Sequence, residues 1–273
     1  MGISIADIQK LRKMTGAGMM DCKKALADAE GDYDKAVEII REKGQAIAAK
    51  RSDRETSNGC CLVKAENGFG AMIALKCETD FVANGAEFVK LTQQILDAAV
   101  ANKCKSLEEV KALPLNGKTV QDEVIARGGI TGEKTELEGY NFIEGDNIYT
   151  YNHQNINVLC TMVAMNKPAE EQGHALTMQV AAMNPLALNE EGVSEETKAN
   201  EFKIAADKAR EEGKPEKLIP QIANGRMNKF YKEVCLLEQE FIQDSKMSVK
   251  QYLKSVDKDL TVTDFKRFTL RAE

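Results

Sequence analysis

The chain of 273 residues has no tryptophan, two histidines and five prolines, and aromatic residues make up 5% of it. So few rings leave little on which unpaired nucleic-acid bases could stack. The seven cysteines are scattered, odd in number and without a Cys-x-x-Cys spacing, and with only His153 and His174 to join them no zinc ligand set can be assembled. The neighbours Cys60 and Cys61 point to opposite faces of any strand, so reduced core thiols are expected. No stretch approaches the roughly 20 apolar residues of a membrane helix. The opening Met1-Gly2-Ile3-Ser4-Ile5-Ala6-Asp7 has neither the basic nor the apolar segment of a secretory signal, nor an acylation pattern, so a cytoplasmic location away from membranes is expected. Gly-x-Ser-x-Gly, His-Glu-x-x-His and a complete dinucleotide fingerprint are all missing. The two histidines, in apolar or strand contexts, read as hydrogen-bonded structural residues.

What is present is the balance of a globular protein, 43% apolar and 29% charged, long enough for one large domain or two to three small ones. The formal charge of −6 is unevenly placed. Residues 1–54 carry 11 Lys/Arg against 9 Asp/Glu, a net +2, which leaves −8 on the rest. A body of that sign repels phosphate backbones, so nucleic acid is not an expected partner. Lys50, Arg51 and Arg54 read as a solvated linker.

Residues 4–44 read as three short helices. Ser4 caps an apolar stripe of Ile5, Ile8 and Leu11, Thr15-Gly16-Ala17-Gly18 breaks the chain, and Gly31-Asp32 starts a third helix with Ala36, Val37, Ile39 and Ile40 inward. Three helices in some forty residues make a bundle of the ubiquitin-associated type, with 45–57 as linker. From Gly59 the texture changes. Cys61, Val63 and Ala65 alternate with outward residues, Asn67-Gly68 offers a hairpin turn, and Ala71, Ile73, Leu75 and Cys77 alternate again. An amphipathic helix follows, with Phe88, Leu91, Ile95 and Ala98 on one face. Strands at 141–143, 148–153 and 156–165 and a helix at 174–183 then repeat that order. Leu91-Thr92-x-Gln94-Ile95 even echoes Leu176-Thr177-x-Gln179-Val180. From Ser194 the chain is charged and helical with a thin stripe of Ala199, Phe202, Ala205 and Ala209, a turn at Gly213-Lys214-Pro215, and a return helix with Leu218, Ile222 and Phe230. So thin a stripe suits a projecting helical hairpin, with Pro220 disturbing the first turn of the return arm. Residues 265–270 close as a strand. The expected fold is α+β: residues 1–54 a bundle and linker, 55–140 and 141–187 plus 229–273 two related subdomains with antiparallel sheets, and 188–228 an inserted hairpin.

Two segments invite a chemical reading. Ala112-Leu113-Pro114-Leu115-Asn116-Gly117-Lys118-Thr119 looks like a relaxed phosphate-binding loop. A working loop follows a buried strand, whereas residues 107–111 read as a polar helix, and Pro114 removes an amide from the cradle. A surface loop capping a helix over 120–127 is the better reading. The second segment is Cys77-Glu78-Thr79-Asp80-Phe81-Val82-Ala83, which sets an acid beside an aromatic where the chain leaves a sheet. By spacing alone Phe81 is either a core residue or an exposed wedge. Another Thr-Asp-Phe, residues 263–265, lacks these surroundings and reads as strand.

Leu11-Arg12-Lys13-Met14-Thr15-Gly16-Ala17-Gly18-Met19-Met20-Asp21-Cys22-Lys23-Lys24-Ala25-Leu26, together with residues 77–83, resembles the two signature motifs of the elongation factor Ts family. The order of the motifs, the repeated core and the hairpin with Gly225-Arg226-Met227-Asn228-Lys229-Phe230 agree with it over essentially the whole chain. Ala74 and Lys76 depart from the family's strand without touching the wedge. Some members carry a further C-terminal helix, and with the sequence ending at Glu273 that contact is expected to be missing or replaced. The resemblance implies a guanine-nucleotide exchange factor, not an enzyme and with no cofactor of its own, whose partner is elongation factor Tu in its GDP form. It implies that Thr79, Asp80, Phe81 and Val82 form the wedge that dislocates magnesium, and that Arg12, Met19, Met20, Ala83 and His153 touch the partner. Whether the hairpin mediates self-association or only extends the body is left open. The rival reading is a ubiquitin-associated-type binding module without exchange activity, and behind it an NTPase using Lys118.

Overall fold

A computed structural model describes residues 3–271; Met1, Gly2, Ala272 and Glu273, and the expectations resting on those four, lie outside the described residues. The N-terminal bundle is built from α1 (Ile5–Thr15), α2 (Met19–Asp28) and α3 (Tyr33–Lys50). Ser4 and Asp7 cap α1 reciprocally, and the Asp7 carboxylate also accepts from the Tyr33 hydroxyl at 2.7 Å, which ties α1 to α3. Leu11, Cys22, Leu26 and Ala36 fill the space between the helices. Helix α3 runs through residues 45–50, where a linker was expected. Gly44 does not end it, because the glycine is buried against another helix and Gln45-Ala46-Ile47-Ala48-Ala49 favours helix.

The body consists of two units of one topology. In the first, β1 (Asn58–Glu66) and β2 (Phe69–Cys77) form a hairpin around Asn67-Gly68, both residues at positive φ as a two-residue turn of this kind demands. Then come α4 (Asp80–Ala83), α5 (Ala86–Ala101), α6 (Leu107–Ala112), the small hairpin β3 (Pro114–Leu115) and β4 (Lys118–Thr119), and α7 (Val120–Thr131). β5 (Thr135–Glu144) returns antiparallel to β2, giving the order β1-β2-β5. In the second unit, β6 (Asn147–Asn152) and β7 (Leu159–Met165) pair, α8 (Glu170–Met183) follows, and the third strand closes the order β10-β7-β6. Between α8 and that strand lie α9 (Glu195–Glu211), α10 (Ile219–Val234), the hairpin β8 (Glu240–Phe241) and β9 (Asp244–Ser248), and α11 (Val249–Val256), before β10 (Val262–Thr269). The internal repeat is thus a β-β-α-β unit used twice, with α5 and α8 in equivalent places. Residues 141–143, expected to open the second unit, are instead the end of β5 and pair with β2.

Strand β2 is buried on both faces. Ala71, Ile73, Leu75 and Cys77 pack with Cys60, Leu62, Phe88, Leu91 and Ile95 under the helices. Met72, on the other face, meets Met162, Ile143 and Ala164 between the sheets. A strand covered twice loses its alternation. Cys61 and Val63, read as the inward side of their strand, face the second sheet, where the Cys160 thiol donates to the Cys61 carbonyl at 3.2 Å. All seven cysteines are free and buried. The sheets approach closely at Gly139, the bulged residue of β5 at φ +77°, because the Phe268 ring occupies the place of a side chain. In the hairpin, Ala205, Ala206, Ala209 and Ala223 make a seam of alanines with Ile219. Pro220 does not disturb its arm, since it sits in the first turn of α10 where no amide donor is needed.

Candidate functional site

The signature segment leaves β2 at Cys77 and becomes a single helical turn, α4, on the surface. Phe81 is 88% exposed, the most exposed of the large apolar side chains among the described residues. Burying such a ring is worth about 1.5–3 kcal/mol, and here none of that is used inside the protein. Asp80 beside it is exposed and Val82 is half-buried against the core, while Ala83, at 5% exposure, is a foot of the turn in the core and not a surface contact.

The turn itself is held firmly. The Thr79 hydroxyl caps it by accepting from the Val82 N–H at 3.4 Å, and the Asn84 side chain donates to the Asp80 carbonyl at 2.9 Å. Glu133, just before β5, accepts from the Thr79 hydroxyl at 2.7 Å and the Thr79 N–H at 3.1 Å. Asn58 donates to the Glu78 carbonyl at 3.0 Å. The Glu78 carboxylate accepts from the Lys134 N–H at 2.6 Å, from Arg51 at 2.8 Å and from Arg54 at 3.0 Å. Burial by itself would raise this carboxyl, but the Lys134 amide and the two guanidiniums outweigh it and hold the group down, at about 2 against an ordinary 4.5. Arg51 and Arg54 are therefore bound ends of a brace, not a solvated linker. Beside the turn, an open cleft of about 690 Å³ is bordered by Asp80, Asn84, Lys76, Asn58 and Arg271.

The remaining candidates lie on two other parts of the molecule. Met19 and Met20 open α2 and are 38% and 74% exposed. Arg12 and Met14 are exposed on α1, so one end of the bundle presents thioethers and a cation. His153 follows β6 and lies 3.0 Å from the Tyr151 hydroxyl through Nδ1. The bundle is bolted to the first unit by α7. A Cβ on Gly129 would fall 2.5 Å from Gly44 Cα, so α3 and α7 cross at backbone contact, and Arg41 reaches Asp122 at 3.3 Å. The candidate phosphate loop is a two-residue hairpin around Asn116-Gly117, with Lys118 3.9 Å from Glu123 and Thr119 capping α7, so no cradle of amides forms. Thr263-Asp264-Phe265 lies in β10.

The sequence reading missed Arg51, Arg54, Glu133 and Lys134. The signal was the charge of Glu78 at a sheet exit, which needs partners, but those lie 24 to 56 residues away along the chain. Among the described residues, no group of His, Cys, Asp and Glu could hold a metal ion, and no helix is long and apolar enough to cross a membrane.

The structure thus sets an exposed ring on a braced turn, above a body made of one unit used twice. The sequence model of the family described as Elongation factor TS matches residues 78–272. Over its full length the chain is 54% identical to elongation factor Ts of Bacteroides fragilis, 52% to that of Porphyromonas gingivalis and 44% to that of Azobacteroides pseudotrichonymphae, each also covered completely. The first alignment spans 330 positions and the other two 275, so the Bacteroides protein has residues with no counterpart here. The chain belongs to the elongation factor Ts family of translation elongation factors.

Proposed function

We propose that the protein is a guanine-nucleotide exchange factor for elongation factor Tu. It binds the GDP form, Asp80 and Phe81 enter between helices of the GTPase domain, the elements that hold magnesium are displaced, and GDP leaves so that GTP can bind. The observation that carries this reading is the full exposure of Phe81 on a turn braced from three directions. No bond is made or broken by this chain, so it is a factor and not an enzyme, working in the cytoplasm without a cofactor, nucleic acid or membrane.

The magnitudes explain a modular body. A thousandfold acceleration of release takes about 4 kcal/mol at 1.36 kcal/mol per decade, and one buried phenylalanine returns about 1.5–3 kcal/mol. The rest comes from other contacts, for which Met19, Met20 and Arg12 on the bundle and His153 on the second unit are the candidates. Linkage makes the effect reciprocal: a factor that weakens nucleotide binding is itself expelled by nucleotide, so GTP turns the cycle over.

The exposed methionine end of the bundle also suits a binding module that lacks exchange activity. Release of a fluorescent GDP analogue from elongation factor Tu separates the two. Acceleration by the protein at substoichiometric amounts is expected. Capture of elongation factor Tu without any acceleration would leave the binding-module reading in its place.

A further inference from the structure

The brace around the wedge closes a mechanical ring. Helix α3 of the bundle runs straight into Arg51 and Arg54, and both grip Glu78. Glu78 is gripped again by the Lys134 N–H, and Thr79 by Glu133, from the short link between α7 and β5. Helix α7 in turn crosses α3 at Gly44 and Gly129. The Glu78 side chain, only 14% exposed, touches both the bundle's linker and the link after α7. The Lys134 ammonium reaches back to the Arg54 carbonyl at 3.1 Å, which ties the two grips to each other.

Resting on the exchange reading above, we propose that Glu78 is a positioning residue for nucleotide exchange: it locks the turn carrying Asp80 and Phe81 at a fixed orientation to the N-terminal bundle. Contacts made by the bundle can displace elements of the partner through Phe81 only if the two cannot turn independently. A four-residue helix has no rigidity of its own, since forming one turn fixes many dihedrals for very few hydrogen bonds. Charge-assisted bonds to a mostly buried carboxylate supply that rigidity at the root of the turn, on the side away from the exposed ring. The partner need never touch Glu78.

The test is stimulated release of a fluorescent GDP analogue from elongation factor Tu, followed over a range of factor concentrations to separate the maximal rate from the half-saturating concentration. The variants are Glu78→Gln, which keeps the shape and loses the charge, and the double change Arg51→Met with Arg54→Met, which removes the two guanidinium bonds from the other side. Each is expected to lower the maximal rate about tenfold, the equivalent of roughly one charge-assisted hydrogen bond. The half-saturating concentration should move less than about twofold, because the docking contacts are left in place. Added to Phe81→Ala, Glu78→Gln should slow release no further, since it acts through the missing ring. Circular dichroism melts check that the variants are folded at the assay temperature. Wild-type maximal rates in both variants, or a loss that simply adds to that of Phe81→Ala, would overturn the proposal alone. A wild-type factor that fails to accelerate release would overturn the exchange reading and this proposal with it.

Discussion

The two β-β-α-β units have the same strand order, yet they treat the connection after the central strand in opposite ways. In the second unit Met165 leads through Asn166-Lys167-Pro168-Ala169 directly into α8, and nothing large and apolar projects. Asn166 exchanges hydrogen bonds with the backbone of Thr261 and donates to the Asp259 carbonyl at 2.7 Å, while Lys167 meets Asp257 at 2.8 Å. In the first unit the same place is widened by a turn of helix that lifts Phe81 into solvent. Both connections are pinned by the segment just before the third strand, Glu133 and Lys134 in one unit and Asp257 to Thr261 in the other. Each is pinned a second time: the first by two charged arginines from the bundle's linker, the second by the Tyr149 hydroxyl, which accepts from the Ala169 N–H at 2.8 Å. A common scaffold keeps its connection short and flush in one copy and builds a braced projection in the other, and the proposed function rests on that difference.

The largest effect should come from the ring itself. Phe81→Ala is expected to cut stimulated GDP release about 10- to 100-fold, the kinetic equivalent of about 1.5–3 kcal/mol of burial made only with the partner. Its melting temperature should stay at the wild-type value, since an exposed side chain contributes little to the fold. Gly129→Val comes next and attacks the frame. A side chain there collides with the backbone of Gly44, so about 1–3 kcal/mol of stability should be lost in denaturant titrations. Release should fall with it as the bundle leaves α7.

A smaller effect appears in acid. A carboxylate whose folded value is depressed stabilises the fold fully above its ordinary value of 4.5, and that contribution drains away as pH falls toward about 2. The melting temperature of the wild type should therefore drop more steeply over this window than that of Glu78→Gln, and the two curves should converge at its acid end. Parallel curves would remove Glu78 from the account of stability. The least effect is expected from Lys167→Met in the second unit, where a half-exposed, solvent-screened ion pair adds little to stability and release should be unchanged. A release defect there as large as that of Phe81→Ala would dissolve the contrast between the units.

The sequence yields the architecture wherever local chemistry and packing agree. Asn67-Gly68 marks its hairpin, Ser4 and Asp32 start their helices, and the Leu91 and Leu176 segments reveal the repeat because each must cover its own sheet. Long-range packing overrides the local signal elsewhere. Residues 45–50 read as linker but continue α3 past Gly44, the crossing point of two helices, and the Cys61 face reads simply as inward but meets a second sheet. Taking Ala71, Ile73, Leu75 and Cys77 as the one inward face of β2 passes over Met72 and Ala74 between them, which are buried as well. For the site, the ring was visible as a motif, and its spacing left core and surface both open; exposure is a property of what does not pack on it, which no local pattern encodes. Its brace was invisible because Arg51, Arg54, Glu133 and Lys134 reach Glu78 and Thr79 only after the chain has folded.

The most direct measurement places a photoreactive p-benzoylphenylalanine at position 81 in one sample and at the equivalent exposed position 168 of the second unit in another, and irradiates each with GDP-loaded elongation factor Tu. The account predicts a crosslink to the GTPase domain from position 81 and none to that domain from position 168. Equal labelling from both positions, or none from position 81 in a complex that still forms, would contradict it.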